Sequence, residues 1–219
     1  MIGLIESYED DHCIYLVMDL MADDFRNVML SCNQAFDEGT ARKLFSQMVK
    51  SVAYCHSKSI VHRDIKLENF FLDYQEESKE ITVKLGDFGV AAKLECSVKA
   101  PRASKALQGM VGTPAYMAPE VFLGQRYGHK ADSWSLGVLL FELLTNEHPY
   151  TYEGDEDCEE NMKQIGIKTI QRVMKLRSSP QLANISPEAA DLICLLLTPD
   201  PQRRISAQDA LSHVWLREF

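Results

Sequence analysis

The stretch Val61-His62-Arg63-Asp64-Ile65-Lys66-Leu67-Glu68-Asn69, running into the apolar Phe70-Phe71-Leu72, constrains this chain more than any other. Asn69 follows Asp64 by five residues, and the ammonium of Lys66 lies between them. Transfer of a phosphoryl group to an alcohol calls for those three groups. A carboxylate orients the hydroxyl and accepts its proton, a cation offsets charge on the moving group, and a side-chain amide helps hold a metal ion. Taken alone, the same residues also describe a turn carrying scattered charges.

Two further motifs decide between these readings. Asp87 of Lys84-Leu85-Gly86-Asp87-Phe88-Gly89 follows Asn69 by eighteen residues, and Gly112-Thr113-Pro114-Ala115-Tyr116-Met117-Ala118-Pro119-Glu120 comes later. Ile81, Val83 and Leu85 alternate with Thr82, Lys84 and Gly86, the period-two pattern of a half-buried strand. Such a strand delivers Asp87 to its end, where a carboxylate can chelate Mg²⁺ bridging ATP phosphates. With three motifs in this order and spacing, the chain resembles a eukaryotic protein kinase.

Composition agrees with a globular chain. Of 219 residues, 46% are hydrophobic and 25% charged, enough for one domain or one large lobe. The six cysteines are scattered without a C-x-x-C pair, which suggests neither a zinc site nor a disulfide framework and fits a reducing cytoplasmic or nuclear compartment. No signal peptide or membrane span is visible. Six of the acids behind the net charge of −9 lie in residues 153–160, and an acidic chain argues against nucleic-acid binding. Asp155 and Asp157 mimic the start of a calcium loop, but its sixth position is Glu160 and its twelfth Gly166, so a solvated loop is the better reading.

The resemblance implies an α+β, protein-kinase-like fold, mainly the helical C-terminal lobe with a remnant β-hairpin of the N-terminal lobe. Residues 1–18 would be the last strands of the N-lobe, 19–22 the hinge, and 23–219 the C-lobe, with catalytic loop 62–69 and activation segment 87–120. Ile14–Met18 is a β-prone run, and Asp10-Asp11-His12 turns a hairpin from Gly3-Leu4-Ile5. Asp37 or Thr40 opens a helix to about His56, with Ala41, Leu44, Phe45, Met48, Val49 and Val52 as its buried stripe. Residues 74–80 form a short polar hairpin excursion. Asp132 begins a helix through Leu144 that is apolar nearly all round. Ser186-Pro187 starts another helix that ends at Asp200-Pro201, and Ser206 with Asp209 caps a closing helix through Leu216.

By the same resemblance, Asp64, Lys66, Asn69 and Thr113 are catalytic, and Asn69 and Asp87 hold Mg²⁺. ATP is bound by Met18, Asp19, Leu20, Met21, Glu68, Phe71 and Asp87. Asp24, Glu68 and Glu142 match positions where relatives set acids against substrate arginines, so protein substrates with basic residues near the acceptor Ser or Thr are expected. His62 packs and braces the loop, Asp132 caps its backbone, and Glu120 pairs with Arg204 in a buried ion pair. Arg63 is placed to meet a phosphate brought by the activation segment, with Ser97 and Ser104 as candidate phosphosites. Gly109 stands where many relatives carry a phosphorylatable residue.

Lys66 and Thr113 resemble the serine/threonine class, and the tail from Ile205 to Leu216 is most similar to the calcium/calmodulin-dependent and calcium-dependent group, with Val214 where Pro is common. An upstream kinase or a calcium-sensing domain outside this chain would regulate it. No glycine-rich loop or Val-Ala-Ile-Lys strand precedes Asp64. The chain therefore reads as a fragment of an active kinase. The alternative is an inactive lobe remnant that serves as a binding scaffold. A small-molecule phosphotransferase would lack the Gly-Thr-Pro-x-Tyr segment ending in Glu120.

Overall fold

Strands β1 (Leu4–Glu9) and β2 (Ile14–Met18) pair antiparallel at the start of the computed structural model, which describes residues 1–75, 80–94, 106–150 and 159–217. Asp10 closes their turn, its carboxylate accepting the backbone N–H of His12 and of Cys13, both at 2.8 Å. Every residue of this ribbon is exposed, including Leu4, Ile5, Ile14, Leu16 and Val17. Its base is tied down: Ile2 N–H donates to the Leu85 carbonyl at 3.0 Å, and Asp19 N–H donates to that of Gly3 at 3.1 Å.

After β3 (Asp23–Asp24), helix α1 (Phe25–Cys32) is capped by Asp24, whose carboxylate accepts Asn27 N–H at 2.9 Å. Asp37, rather than Thr40, caps α2 (Glu38–Ser57), and the expected stripe from Ala41 to Val52 is buried. Strands β4 (Ile60–Val61), β5 (Phe70–Gln75), β6 (Glu80–Leu85) and β7 (Ala92–Lys93) frame the central motif: β5 lies between β3 and β6, and β4 pairs with β7. The expected excursion after Tyr74 is the β5–β6 hairpin, with residues 76–79 outside the described residues. Gln47 of α2 serves the outer edge of β6, donating to the Ile81 carbonyl at 3.0 Å and accepting Val83 N–H at 2.9 Å. Edge groups that water would otherwise solvate are thereby paired.

The middle of the lobe is built on α3 (Pro119–Phe122) and α4 (His129–Thr145), which is buried continuously from Ala131 to Leu144. Helix α4 starts at His129, three residues before the expected Asp132, whose carboxylate accepts His62 N–H at 2.8 Å. Gly137 lets α6 (Pro187–Leu196) approach: a Cβ there would lie 2.8 Å from Leu196. Before α6, helix α5 (Glu159–Leu176) packs on α3, with Gly166 against Phe122.

Two termini differ from expectation. Helix α6 ends at Leu196, four residues before Asp200. Ser206 does cap the final segment, accepting Asp209 N–H at 3.0 Å, but that segment breaks into α7 (Ala207–Ala210) and α8 (Val214–Arg217). Glu38 holds these pieces to α2, accepting from Ser186 N–H at 2.6 Å, Ser186 O–H at 2.7 Å and Trp215 Nε1–H at 3.1 Å. Among the described residues no helix is long and apolar enough to cross a membrane.

Candidate active site

The loop from His62 to Asn69 is held from below by one carboxylate. Asp132 accepts His62 N–H at 2.8 Å, Arg63 N–H at 2.9 Å and His56 Nε2 at 2.9 Å. Burial works against its charge, yet the His56 and backbone donors outweigh burial and hold its pKa below the ordinary value. His62 is fully buried, with Nε2 3.0 Å from the Gly86 carbonyl and its ring edge-on to Phe88. Arg63 and Asp87 adopt φ of 70° and 53°, a left-handed backbone uncommon outside glycine. Arg63 donates Nε–H to the Val90 carbonyl at 2.6 Å, drawing the segment after Asp87 onto the loop.

Asp64, Lys66, Asn69 and Thr113 meet as one cluster. Asp64 Oδ1 accepts Thr113 N–H at 2.8 Å and Thr113 O–H at 2.7 Å. On the other oxygen, Lys66 Nζ lies at 2.9 Å and Asn69 Nδ2 donates at 3.1 Å. Lys66 Nζ also donates to Thr113 Oγ1 at 2.9 Å. Burial alone would raise the pKa of Asp64, but the Lys66 and Thr113 donors outweigh it and the net shift is downward. A carboxylate so stabilised stays ionised at neutral pH and can accept a hydrogen bond from a hydroxyl.

Gly112 makes this meeting sterically feasible. Its φ is 110°, and a Cβ there would lie 2.1 Å from the Arg63 carbonyl oxygen.

Asn69 spends both Nδ2 contacts on Asp64, so its amide oxygen is the atom left for a ligand. Asp87 is exposed at the end of β6, with one carboxylate oxygen accepting Gly89 N–H at 3.2 Å. One amide and one carboxylate oxygen fit Mg²⁺, which usually keeps water and substrate phosphates as its other ligands. Among the described residues no cluster of three or more His, Cys, Asp or Glu side chains forms a metal cage.

The acids expected to meet substrate are differently placed. Glu68 is exposed, whereas Glu142 is only 7% exposed and accepts the Tyr116 hydroxyl at 2.8 Å. Burial pushes the Glu142 carboxyl up to about 7, opposed by the Tyr116 bond and by the nearby charge of Arg26. Asp24 is committed to capping α1. Around the expected nucleotide site, Met18 and Leu20 are exposed, Met21 is partly buried, and Phe71 packs where a Gly86 side chain would stand. Asp19 accepts Gly3 N–H at 3.1 Å and faces Lys84 Nζ at 3.4 Å. Ser97 and Ser104 lie outside the described residues.

Sequence reasoning missed His56, His148 and Tyr116. His148 Nε2 sits 3.0 Å from the Ala115 carbonyl, and the Tyr150 hydroxyl donates to that same carbonyl at 3.1 Å, steadying the segment after Thr113. Only Tyr116 had a local signal, its place in the Gly-Thr-Pro-x-Tyr run.

Comparison with known proteins identifies the family. Residues 1–216 match the model of the protein kinase domain. The chain belongs to the protein kinase domain family. It is 36% identical to the testis-specific serine/threonine-protein kinase 2 of Mus musculus, over 98% of this chain and 57% of that protein. It is 33% identical to the calcium/calmodulin-dependent protein kinase type II alpha chain of Drosophila melanogaster, over 98% of the chain and 38% of the relative. Calcium-dependent protein kinase 9 of Arabidopsis thaliana is 35% identical, over 97% and 36% respectively. This protein kinase domain thus spans between about a third and a little over half of the length of these relatives.

Proposed function

We propose that this chain carries the phosphotransfer site of an ATP-dependent serine/threonine protein kinase acting on basic protein segments. One observation carries the reading: the Thr113 hydroxyl rests 2.7 Å from Asp64 and 2.9 Å from Lys66. A hydroxyl there touches a carboxylate and an ammonium at once, as a phosphoryl acceptor must. Asp64 would orient the substrate hydroxyl and take its proton as the new O–P bond forms. Lys66 would offset charge on the transferring group, and Thr113 would fix the Asp64 rotamer from the far side. Bound Mg²⁺ would neutralise the ATP phosphates, with Asn69 and Asp87 as its protein ligands.

Residues 1–18 would be the closing strands of the smaller lobe and 19–22 the hinge, where Met18, Asp19, Leu20 and Met21 meet the adenine. Glu68 and Phe71 would line the same site from the larger lobe, residues 23–219. Glu142 and Glu68, with Asp24 beside them, would receive substrate arginines. Segment 87–120 would regulate access, with phosphate on Ser97 or Ser104 drawn to Arg63. The names of the calcium-regulated relatives support a calcium-sensing partner outside this chain.

Transfer of γ-³²P from ATP to arrayed Ser- and Thr-peptides tests the reading. Label is expected on peptides with Arg or Lys before the acceptor. Equal labelling of acidic and basic peptides would remove the substrate class, and no labelling by the natural-length protein would remove the activity.

A further inference from the structure

The short run from Thr113 to Tyr116 joins two anchor points of the proposed site. Thr113 rests on Asp64, where the acceptor hydroxyl would sit, and the Tyr116 hydroxyl donates to Glu142 at 2.8 Å, where a substrate cation would sit. Between them Pro114–Tyr116 forms a single 3₁₀ turn. Tyr116 N–H closes that turn on the Thr113 carbonyl at 3.0 Å, and Met117 N–H closes it on that of Pro114 at 3.1 Å. Met117 and Ala118 are extended, so the turn stops there and the Ala115 carbonyl takes its donors from side chains.

Two such donors meet on it. His148 Nε2 stands 3.0 Å from the carbonyl oxygen, and the Tyr150 hydroxyl donates to it at 3.1 Å. Tyr150 is itself fixed, accepting Trp134 Nε1–H at 3.2 Å from the buried helix α4. Ser135, also on α4, donates to the Tyr116 carbonyl at 2.8 Å. The His148 ring stands edge-on to both tyrosines, with centroids 6.0 Å from Tyr116 and 4.7 Å from Tyr150. His148 thus holds the middle of the run that links Asp64 to Glu142. Of the three forms of an imidazole, the cation and the neutral Nε2–H tautomer direct a hydrogen at Ala115. The Nδ1–H tautomer alone sets a lone pair against the carbonyl.

We propose that His148 is a positioning residue that sets the substrate spacing of this site. By donating Nε2–H to the Ala115 carbonyl, it fixes how far the acceptor hydroxyl lies from the basic side chain that Glu142 receives. The proposal rests on the phosphotransfer reading of Asp64 and Glu142. With the carbonyl released, the peptide plane between Ala115 and Tyr116 can turn, and Tyr116 no longer holds Glu142 in one place relative to Asp64. Discrimination among substrates then falls more than turnover of the best one, because each spacing finds an arrangement that suits it.

The test is γ-³²P transfer by the natural-length protein to peptides that differ only in where a single arginine precedes the acceptor serine, with kcat and KM taken for each. Wild type should favour one spacing over its neighbours by about tenfold or more in kcat/KM. Glutamine sets an amide N–H where Nε2–H stands, so His148→Gln should keep that preference. Asparagine reaches only the place of Nδ1, so His148→Asn should narrow it to within about threefold. Tyr150→Phe, which removes the second donor and keeps the ring, should narrow it as well. In ¹⁵N-edited spectra of wild type, His148 Nε2 should carry a proton. A ring protonated on Nδ1 alone, an unchanged preference in His148→Asn, equal narrowing by Gln and Asn, or a uniform fall across all spacings overturns the proposal. No labelling of any peptide by wild type would instead remove the activity itself, and the proposal with it.

Discussion

Arg204 grips both oxygens of Glu120, Nη1 to Oε1 at 2.7 Å and Nη2 to Oε2 at 2.8 Å, with both side chains buried. The guanidinium also donates to the carbonyls of Thr198, Lys130 and Pro199, so its donors are spent on fixed partners. The segment that ends at α3 is thereby fastened to the loop after α6. Removing one partner strands a charge without solvent. Arg204→Met should cost about 3–5 kcal/mol of stability, read as a lowered Tm or urea midpoint. The double variant with Glu120→Leu should recover part of that loss, and simple additivity of the two would show that the pair is not coupled.

Gly112 separates folding from chemistry. A methyl group there meets the Arg63 carbonyl oxygen at 2.1 Å, so Gly112→Ala must push Thr113 off Asp64. Turnover should fall by about a hundredfold, since small displacements of a positioning group have that effect. The melting curve should move far less, because residues 111–115 are only partly buried.

Asp132 makes loop geometry sensitive to acid. Its folded pKa is depressed, so its stabilisation is present above the ordinary carboxylate range and is lost as pH falls through the folded value. Asp132→Asn sets an N–H₂ group against a backbone N–H and should cost about 3 kcal/mol at neutral pH. Its unfolding free energy should also vary less with pH below about 4 than that of wild type.

Glu142 has the opposite sign. Its folded pKa is raised to about 7 by burial, so its contribution is intact below about pH 4.3 and is lost as pH rises through 7. Glu142→Gln should remove a penalty on the order of 3 kcal/mol at pH 8 while changing little at pH 4. In peptide assays the KM for basic substrates should rise as pH drops below 7 in wild type. In Glu142→Gln it should be higher and independent of pH over that range.

Much of this arrangement was legible along the chain because it depends on local pattern. The stripe from Ala41 to Val52 marks α2, the alternation from Ile81 to Leu85 marks β6, and Ser186-Pro187 marks the start of α6. The start of α4 was not legible, since the helix opens at His129 behind Gly128, which offers no side-chain cap. The left-handed turns at Arg63 and Asp87 were hidden too: bonds such as Arg63 to Val90 impose them, and side-chain preference does not. The burial of Glu142 also emerges only from tertiary contacts, whereas the capping of α1 by Asp24 is a local bond to Asn27 N–H.

The most direct test is the turnover of Asp64→Asn in the natural-length protein, measured as γ-³²P transfer to a basic peptide beside wild type. Asparagine keeps the size of the side chain, but its neutral amide cannot accept the hydroxyl proton or hold Lys66 by charge. The account predicts a fall of at least about a thousandfold in kcat with the fold intact by circular dichroism. Near-wild-type turnover in that variant would contradict the assignment of Asp64 and, with it, the reading of the cluster as a phosphotransfer site.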